Sequence, residues 1–326
     1  MKWCDMIDIR KIKNGYWWDA EGKFNSIINN ENSLKELTLQ ITDKCNMNCV
    51  KCNKVNYTFE DMKTEKIMDI IQQSIDLGLK HIHFTGGECT LHEDFPEIVK
   101  FCRENNLRVD MSSNGKFSEI KAKQFLPFMD SINISYDFID YPPECFSFIF
   151  KYNVKVFINH MVMPANFKEL KEFLNHIEKN YSKVIDIQLM PPRGNAEKFT
   201  LEEIHYFNNH ILSSIGKSKY EMVNSKINTI LKYEGSERGI YHELISWPCY
   251  RAKSELRVGP KGFNTCTYLY RDGEIVCGLD NTVKEAWEMC KIKCLQSPPN
   301  KEMCQFSCSP EIANFNYFIH EYLKKG

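Results

Sequence analysis

LTLQITDKCNMNCVKC, residues 37–52, runs an alternating apolar stretch directly into three closely spaced cysteines. Its first six residues read as a β-strand. Downstream, DMKTEKIMDIIQQSIDLG (61–78) places Ile67, Ile70, Ile71 and Ile75 at helical spacing and stops at Gly78. HIHFT (81–85) is a second strand, FPEIVKFCREN (95–105) a helix, and LRVDMSS (107–113) a strand ending at Asn114-Gly115. The pattern continues as helix 118–128, strand 131–136, a short helix near 144–151, strand 154–160, helix 167–179, strand 184–190 and helix 201–214. Six β-then-α units imply parallel strands joined by right-handed crossovers. They suit an incomplete (β/α) barrel or a doubly wound sheet, and both place ligands beyond the carboxyl ends of the strands. The cysteines lie at that end of the first strand. The expected fold class is α/β, a partial (β/α)6 barrel followed by a small cysteine-rich cluster-binding domain.

Composition narrows the function. The 326 residues carry 42 Lys+Arg against 43 Asp+Glu, a net charge of −1, which excludes a general nucleic-acid binder. No apolar run is long enough for a membrane span or a signal peptide, so the expectation is a cytoplasmic protein acting without a membrane. There are 14 cysteines, and in a reducing compartment clustered cysteines point to metal. Three thiolates on one loop are one fewer than a closed zinc site takes, and they suit an iron–sulfur cluster with one iron left open. Cys89, Cys102 and Cys145 are scattered and read as buried free thiols. His81 and His83 share one face of a strand and read as structural.

Five segments in order, CNMNCVKC (45–52), FTGGE (84–88), SSNG (112–115), ISYD (134–137) and LMPPRGNA (189–196), resemble the radical S-adenosylmethionine (SAM) superfamily. The resemblance covers roughly residues 36–215. It implies that Cys45, Cys49 and Cys52 hold a 4Fe–4S cluster whose fourth iron chelates SAM. Gly86 and Gly87 would let the backbone approach SAM, and Glu88 would accept hydrogen bonds from its ammonium. Ser112, Ser113 and Asn114 would meet its ribose or carboxylate, and Ser135 and Gly194 match further SAM-contacting positions. One electron would then give a 5′-deoxyadenosyl radical that abstracts hydrogen from substrate. Lys51 departs from the pattern, because the family often has an aromatic there to cover the adenine.

A second group, Cys249, Cys266, Cys277, Cys290, Cys294, Cys304 and Cys308, resembles the SPASM or twitch auxiliary-cluster domains. Within it RDGEIVCG (271–278) reads as a hairpin turning at Asp272-Gly273. Two fully ligated clusters need eight thiolates and seven are present, so the expectation is one or two auxiliary 4Fe–4S clusters, with zinc as the alternative. A spare thiol here could donate a hydrogen atom to a radical. The domains are expected at 1–35 (an N-terminal extension), 36–235 (the partial barrel) and 236–326 (the auxiliary-cluster domain).

The architecture implies a radical SAM oxidoreductase modifying a peptide or protein, by oxidation or epimerisation. Its alternatives are a dehydrogenase or epimerase of a sugar or aminocyclitol, and a non-catalytic zinc- or cluster-binding protein. The partners implied are a peptide or small-molecule substrate and an electron donor such as flavodoxin or ferredoxin.

Overall fold

The computed structural model describes residues 20–49, 52, 60–190, 199–215, 218–220, 223, 249–266, 274–296, 319–320 and 322–324. The chain divides into two compact units. The first contains Met1–Cys45, Lys54–Asp110 and Tyr241–Gly326, and the second Asn46–Asn53 and Met111–Ile240.

In the first unit the order is α1 (Ala20–Ile28), β1 (Glu36–Gln40), α2 (Thr64–Asp76), β2 (His81–Thr85) and α3 (Phe95–Glu104). It then enters β3 (Arg108–Ser113), whose residues are split between the units after Asp110. Strand β1 runs parallel to β2, with Leu37 opposite Ile82 and Leu39 opposite Phe84. The apolar face of these strands is fully buried, as are Ile67, Ile70 and Ile71 of α2 and Phe95, Ile98 and Val99 of α3. Each such side chain contributes roughly 1.5–3 kcal/mol by leaving water. Helix α2 ends at Gly78, whose φ of +98° suits a residue without a Cβ.

The second unit holds α4 (Glu119–Phe125), β4 (Ser131–Ser135), β5 (Lys155–Met161), α5 (Leu170–Asn180), β6 (Val184–Met190), α6 (Leu201–Tyr206) and α7 (Leu212–Ile215). Strands β4, β5 and β6 are parallel neighbours, with a bulge in the β5–β6 ladder at Val156/Phe157. Two sequence-read helices differ in form. Residues 144–151 form two 3-10 turns, Glu144–Ser147 and Ile149–Lys151, separated at Phe148, whose φ of −139° and ψ of −22° interrupt the helical backbone. The helix expected at 201–214 widens to a π turn at Phe207–Ile211 between α6 and α7. There Ser213 and Ser214 donate to the carbonyls of Asn209 and Ile211, a competition that loosens the regular ladder.

Three elements of the first unit were not visible in the sequence pattern. Strand β7 (Glu255–Gly259) pairs parallel with the other edge of β1, and β8 (Gly262–Asn264) pairs antiparallel with β7. Thus the cysteine-rich segment supplies a strand alongside β1. Helix α8 (Val283–Gln296) buries Val283, Ala286, Trp287, Cys290 and Cys294 on one face. The Trp287 indole N–H donates to Ala252 O at 2.8 Å.

The polar face of β2, β1 and β7 carries a buried ionic cluster. Lys23 of α1 pairs with Glu36 and Glu255, and Arg251 pairs with Glu255. His81 Nδ1 lies 3.1 Å from Glu36 and its Nε2 2.8 Å from Asp110. Burial alone would lower the His81 pKa, but the two carboxylates outweigh it and hold the pKa above the usual imidazole range. The stability that protonated His81 contributes is full below about pH 6.5 and is lost as pH rises through its raised native value. Raising pH from 7 to 9 should therefore lower the thermal midpoint of the parent by about 3 °C. A clearly smaller decline is expected in His81→Gln, checked by thermal unfolding at each pH.

Candidate functional site

Strand β1 continues past Gln40 into the loop that carries Cys45, and main-chain contacts fix the root of that loop. Met62 N donates to Ile41 O at 2.8 Å and Asp43 N to Glu60 O at 3.0 Å, around an antiparallel bridge between Thr42 and Asp61. The Thr42 hydroxyl donates to Asp61 at 2.5 Å, and Lys44 Nζ lies 2.6 Å from the same carboxylate. Burial opposes these contacts, yet the hydrogen bonds from Lys44 and Thr42 hold the Asp61 carboxyl below the ordinary range.

The FTGGE segment packs on this root from β2. Gly87 N donates to Thr42 O at 3.0 Å and Glu88 N to Lys44 O at 2.7 Å. Gly86 has a φ of +137°, and a Cβ there would lie 2.6 Å from Thr42 O and 2.8 Å from Gln40 Cγ. A Cβ on Gly87 would collide with the Lys44 carbonyl and come within 2.7 Å of Asp43 O. These glycines therefore allow two backbone turns to touch. Glu88 is 1% exposed, and its carboxylate accepts from the Thr90 hydroxyl at 2.8 Å, capping the turn Cys89–Leu91.

In the second unit, the loop beyond Cys45 meets the SSNG segment. Asn114 Nδ2 donates to Asn46 Oδ1 at 2.8 Å, and Asn46 Nδ2 to Lys116 O at 2.7 Å. Cys52 N donates to Cys49 O at 3.0 Å. Ser113 is buried and its hydroxyl accepts from Gly115 N at 2.9 Å, shaping the turn after β3, whereas Ser112 is half-buried. Ser135, half-buried at the end of β4, stands in register with Asn159 of β5, which in turn stands opposite Gln188 of β6. Asn159 and Gln188 were missed by the sequence reading. Their signal is polar alternation at the carboxyl ends of otherwise apolar strands. Gly194, Lys51, Cys304 and Cys308 lie outside the described residues.

Cysteine exposure separates two populations. Cys45, Cys49 and Cys52 are partly accessible, while Cys89, Cys102 and Cys145 are buried. In the C-terminal segment Cys249, Cys266 and Cys277 are partly accessible, and Cys290 and Cys294 are buried. Burial, reinforced by Cys277 nearby, pushes the Cys290 thiol up to about 12. Burial also raises Cys294, with Cys249, Cys290 and Cys266 adding to the effect. Cys249 N donates to Cys294 O at 3.1 Å, and Cys294 Sγ to the Thr265 hydroxyl at 3.0 Å. Cys277 forms a bridge with Phe263 of β8, while the turn expected at Asp272-Gly273 falls outside the described residues. Among the described residues, no three His, Cys, Asp or Glu side chains stand together at metal-binding geometry.

Residues 39–177 match the model described as the Radical SAM superfamily, and this part of the chain is a radical SAM domain. A relative from Methanococcus aeolicus, described as a probable GTP 3′,8-cyclase, is 27% identical over 225 residues, covering 61% of this chain and 73% of the relative. A Methanococcus maripaludis relative of the same description is 30% identical over 169 residues, and there the chain spans 49% of its length. Among solved structures, Streptococcus suis SuiB bound to S-adenosylmethionine aligns with a TM-score of 0.58 at 13% identity, over 78% of this chain and 66% of that one. The protein anSMEcpe with bound AdoMet and Cp18Cys peptide aligns with a TM-score of 0.56 at 16% identity, over 89% and 96%. At these identities the likeness to the solved structures is one of fold. Among the described residues no helix is long and apolar enough to cross a membrane.

A radical SAM domain implies a 4Fe–4S cluster and SAM. The chemistry of the donor set fits that group: three partly accessible cysteine thiols on a loop anchored at its root by main-chain bonds. If backbone contact between the two turns sets this geometry, Gly87→Ala should destabilise the protein by about 2–3 kcal/mol. Gly278→Ala should cost about 1 kcal/mol or less, since its Cβ would meet only the Asp280 side chain, at 2.6 Å. Denaturant unfolding of both variants checks this.

Proposed function

We propose that the protein is a radical SAM enzyme in which Cys45, Cys49 and Cys52 hold a 4Fe–4S cluster and leave one iron for SAM. The observation that carries this reading is the partly accessible cysteine triplet on a loop anchored behind β1. When bound, the cluster supplies the electron for reductive cleavage of SAM, yielding a carbon radical that takes a hydrogen atom from substrate.

Around that chemistry the residues of this chain have separable tasks. The backbone at Gly86-Gly87-Glu88 fixes the root of the loop and presents one wall for SAM. Asn114, through Asn46, steadies the part of the loop beyond Cys45. Ser112 and Ser135, both half-buried, face ligand from the carboxyl ends of β3 and β4, while Ser113 shapes the turn beneath Asn114. Glu88 holds its turn through Oε1, which accepts from Thr90, and the further acceptor sites of a carboxylate would take the SAM ammonium. Gly194 is assigned to the same ligand from the segment after β6.

The C-terminal cysteines Cys249, Cys266, Cys277, Cys290, Cys294, Cys304 and Cys308 are assigned to one or two auxiliary clusters in a SPASM- or twitch-like segment. Supporting this are the electrostatic neighbourhood of Cys249, Cys266 and Cys290 around Cys294 and the placement of Cys277 near Cys290.

The substrate reading favoured is a peptide or protein. It is supported by the fold alignment over most of anSMEcpe and by SuiB, which has been crystallised with its precursor peptide SuiA. A second reading, a purine nucleoside triphosphate, is favoured by relatives described as probable GTP 3′,8-cyclases. Anaerobic protein supplied with SAM and dithionite should release 5′-deoxyadenosine, and Cys45→Ala, Cys49→Ala and Cys52→Ala should each reduce this by at least ~100-fold. Mass spectrometry with genome-neighbour peptides and with GTP in parallel then decides the substrate: a mass change in a peptide supports the first reading, a change in GTP alone the second. Unchanged 5′-deoxyadenosine release in all three variants would end the proposal.

A further inference from the structure

The residues behind the cysteine loop form a chain of side-chain contacts that neither the motifs nor the relatives point to. Gln40, the last residue of β1, is fully buried, and its amide bonds at both ends. Its Nε2 donates to the carboxylate of Asp43, two residues before Cys45. Its Oε1 accepts from Arg257 Nη2 of β7 at 2.6 Å. The two bonds fix the orientation of the amide, since only one flip can donate to a carboxylate and accept from a guanidinium. Gly86 closes over Gln40 from the β2 side, where a Cβ would lie 2.8 Å from Gln40 Cγ.

Arg257 is 1% exposed, and removing a guanidinium from water is costly unless the surrounding groups compensate. On β8 its register partner is Asn264, whose Oδ1 accepts from Thr265 N at 2.6 Å and Cys266 N at 3.2 Å. A continuous set of bonded and paired residues therefore runs from Asp43, beside Cys45, through Gln40, Arg257 and Asn264 to Cys266. All of these residues belong to the first unit.

We propose that Arg257 and Gln40 are positioning residues that lock the root of the Cys45 loop onto the C-terminal strand pair and thereby set the affinity for SAM. The proposal rests on the reading of the triplet as a cluster site. In this account β7 is an anchor for the SAM-binding loop as well as the start of the cysteine-rich segment. A loosened root lets Cys45 wander, so SAM binding weakens while turnover at saturating SAM is nearly kept.

The decisive variant is Gln40→Glu. It keeps the acceptor for Arg257, and strengthens it by charge, but sets a carboxylate against Asp43 and cuts that link. Were Gln40 only a packing and stability element, this variant would lower the unfolding temperature, because two buried carboxylates would face each other, and would still bind SAM with the parent's dissociation constant. The positioning role predicts a SAM dissociation constant raised about tenfold, kcat within about twofold, and faster deuterium uptake in iron-free protein at peptides spanning 41–45 but not in α5. Arg257→Met should reproduce the SAM effect, and Arg257→Lys should restore part of it. Cys45→Ala in the same binding assay reports on the cluster reading separately. If Cys45→Ala abolishes SAM binding while Gln40→Glu and Arg257→Met bind within about twofold of the parent, the positioning proposal is wrong and the cluster reading stands. If Cys45→Ala binds SAM normally, the cluster reading itself fails.

Discussion

Backbone-to-backbone contact between the turn after β2 and the loop after β1 is the constraint on which the site depends. Two glycines make it possible, and two main-chain bonds, Gly87 N to Thr42 O and Glu88 N to Lys44 O, hold it. From the other side, the Thr42–Asp61 bridge closes the base of the same loop. Cys45 therefore leaves a root fixed on both flanks by bonds that no side-chain rotamer can release. Under the proposed function the loop would gain from this, because each degree of freedom removed beforehand is one that cluster binding would not have to freeze.

The rest of the first unit is arranged around that root in layers. Lowest on the polar face is the buried cluster of Lys23, Glu36, His81, Asp110, Arg251 and Glu255, which satisfies its own charges. Above it, Thr38 is flanked in register by His83 and Arg257. Burial lowers the His83 pKa to about 4, so its imidazole is neutral near pH 7. Nearest the cysteine loop stands Gln40, tied to Arg257 and Asp43. Toward the carboxyl ends of the strands, direct charge pairs give way to charged groups bridged by a neutral amide, Arg257 and Asp43 meeting through Gln40, while the opposite face of the same strands is apolar.

Much of this was legible in the sequence. The β-then-α order, the strand spans near 81–85, 131–136 and 184–190, and the helices of the apolar-periodic segments follow from local periodicity, because each buries one face against the next element. The cysteine triplet stood out by its position directly after the first strand, and FTGGE through the resemblance to radical SAM proteins. What escaped were features decided at a distance. Strand β7 is short, and its polar residues, Glu255 and Arg257, are buried only because α1 and β1 supply partners. Helix α8 hides behind its cysteines: Cys290 and Cys294 lie on the same buried face as Val283, Ala286 and Trp287, so a pair read as metal-ligand spacing is also a helical repeat. The expected task of Gly86 and Gly87 was access for SAM, whereas the contact visible here is with the neighbouring loop, a partner that local spacing cannot name.

The most direct test of the central claim is electron–nuclear double resonance on the reduced, reconstituted protein with SAM carrying a magnetic oxygen isotope in its carboxylate. A hyperfine coupling between that oxygen and a cluster, present in the parent and absent in Cys45→Ala, is the result predicted for three thiolates and one open iron. A parent spectrum without any such coupling, at SAM concentrations that saturate binding, would contradict it.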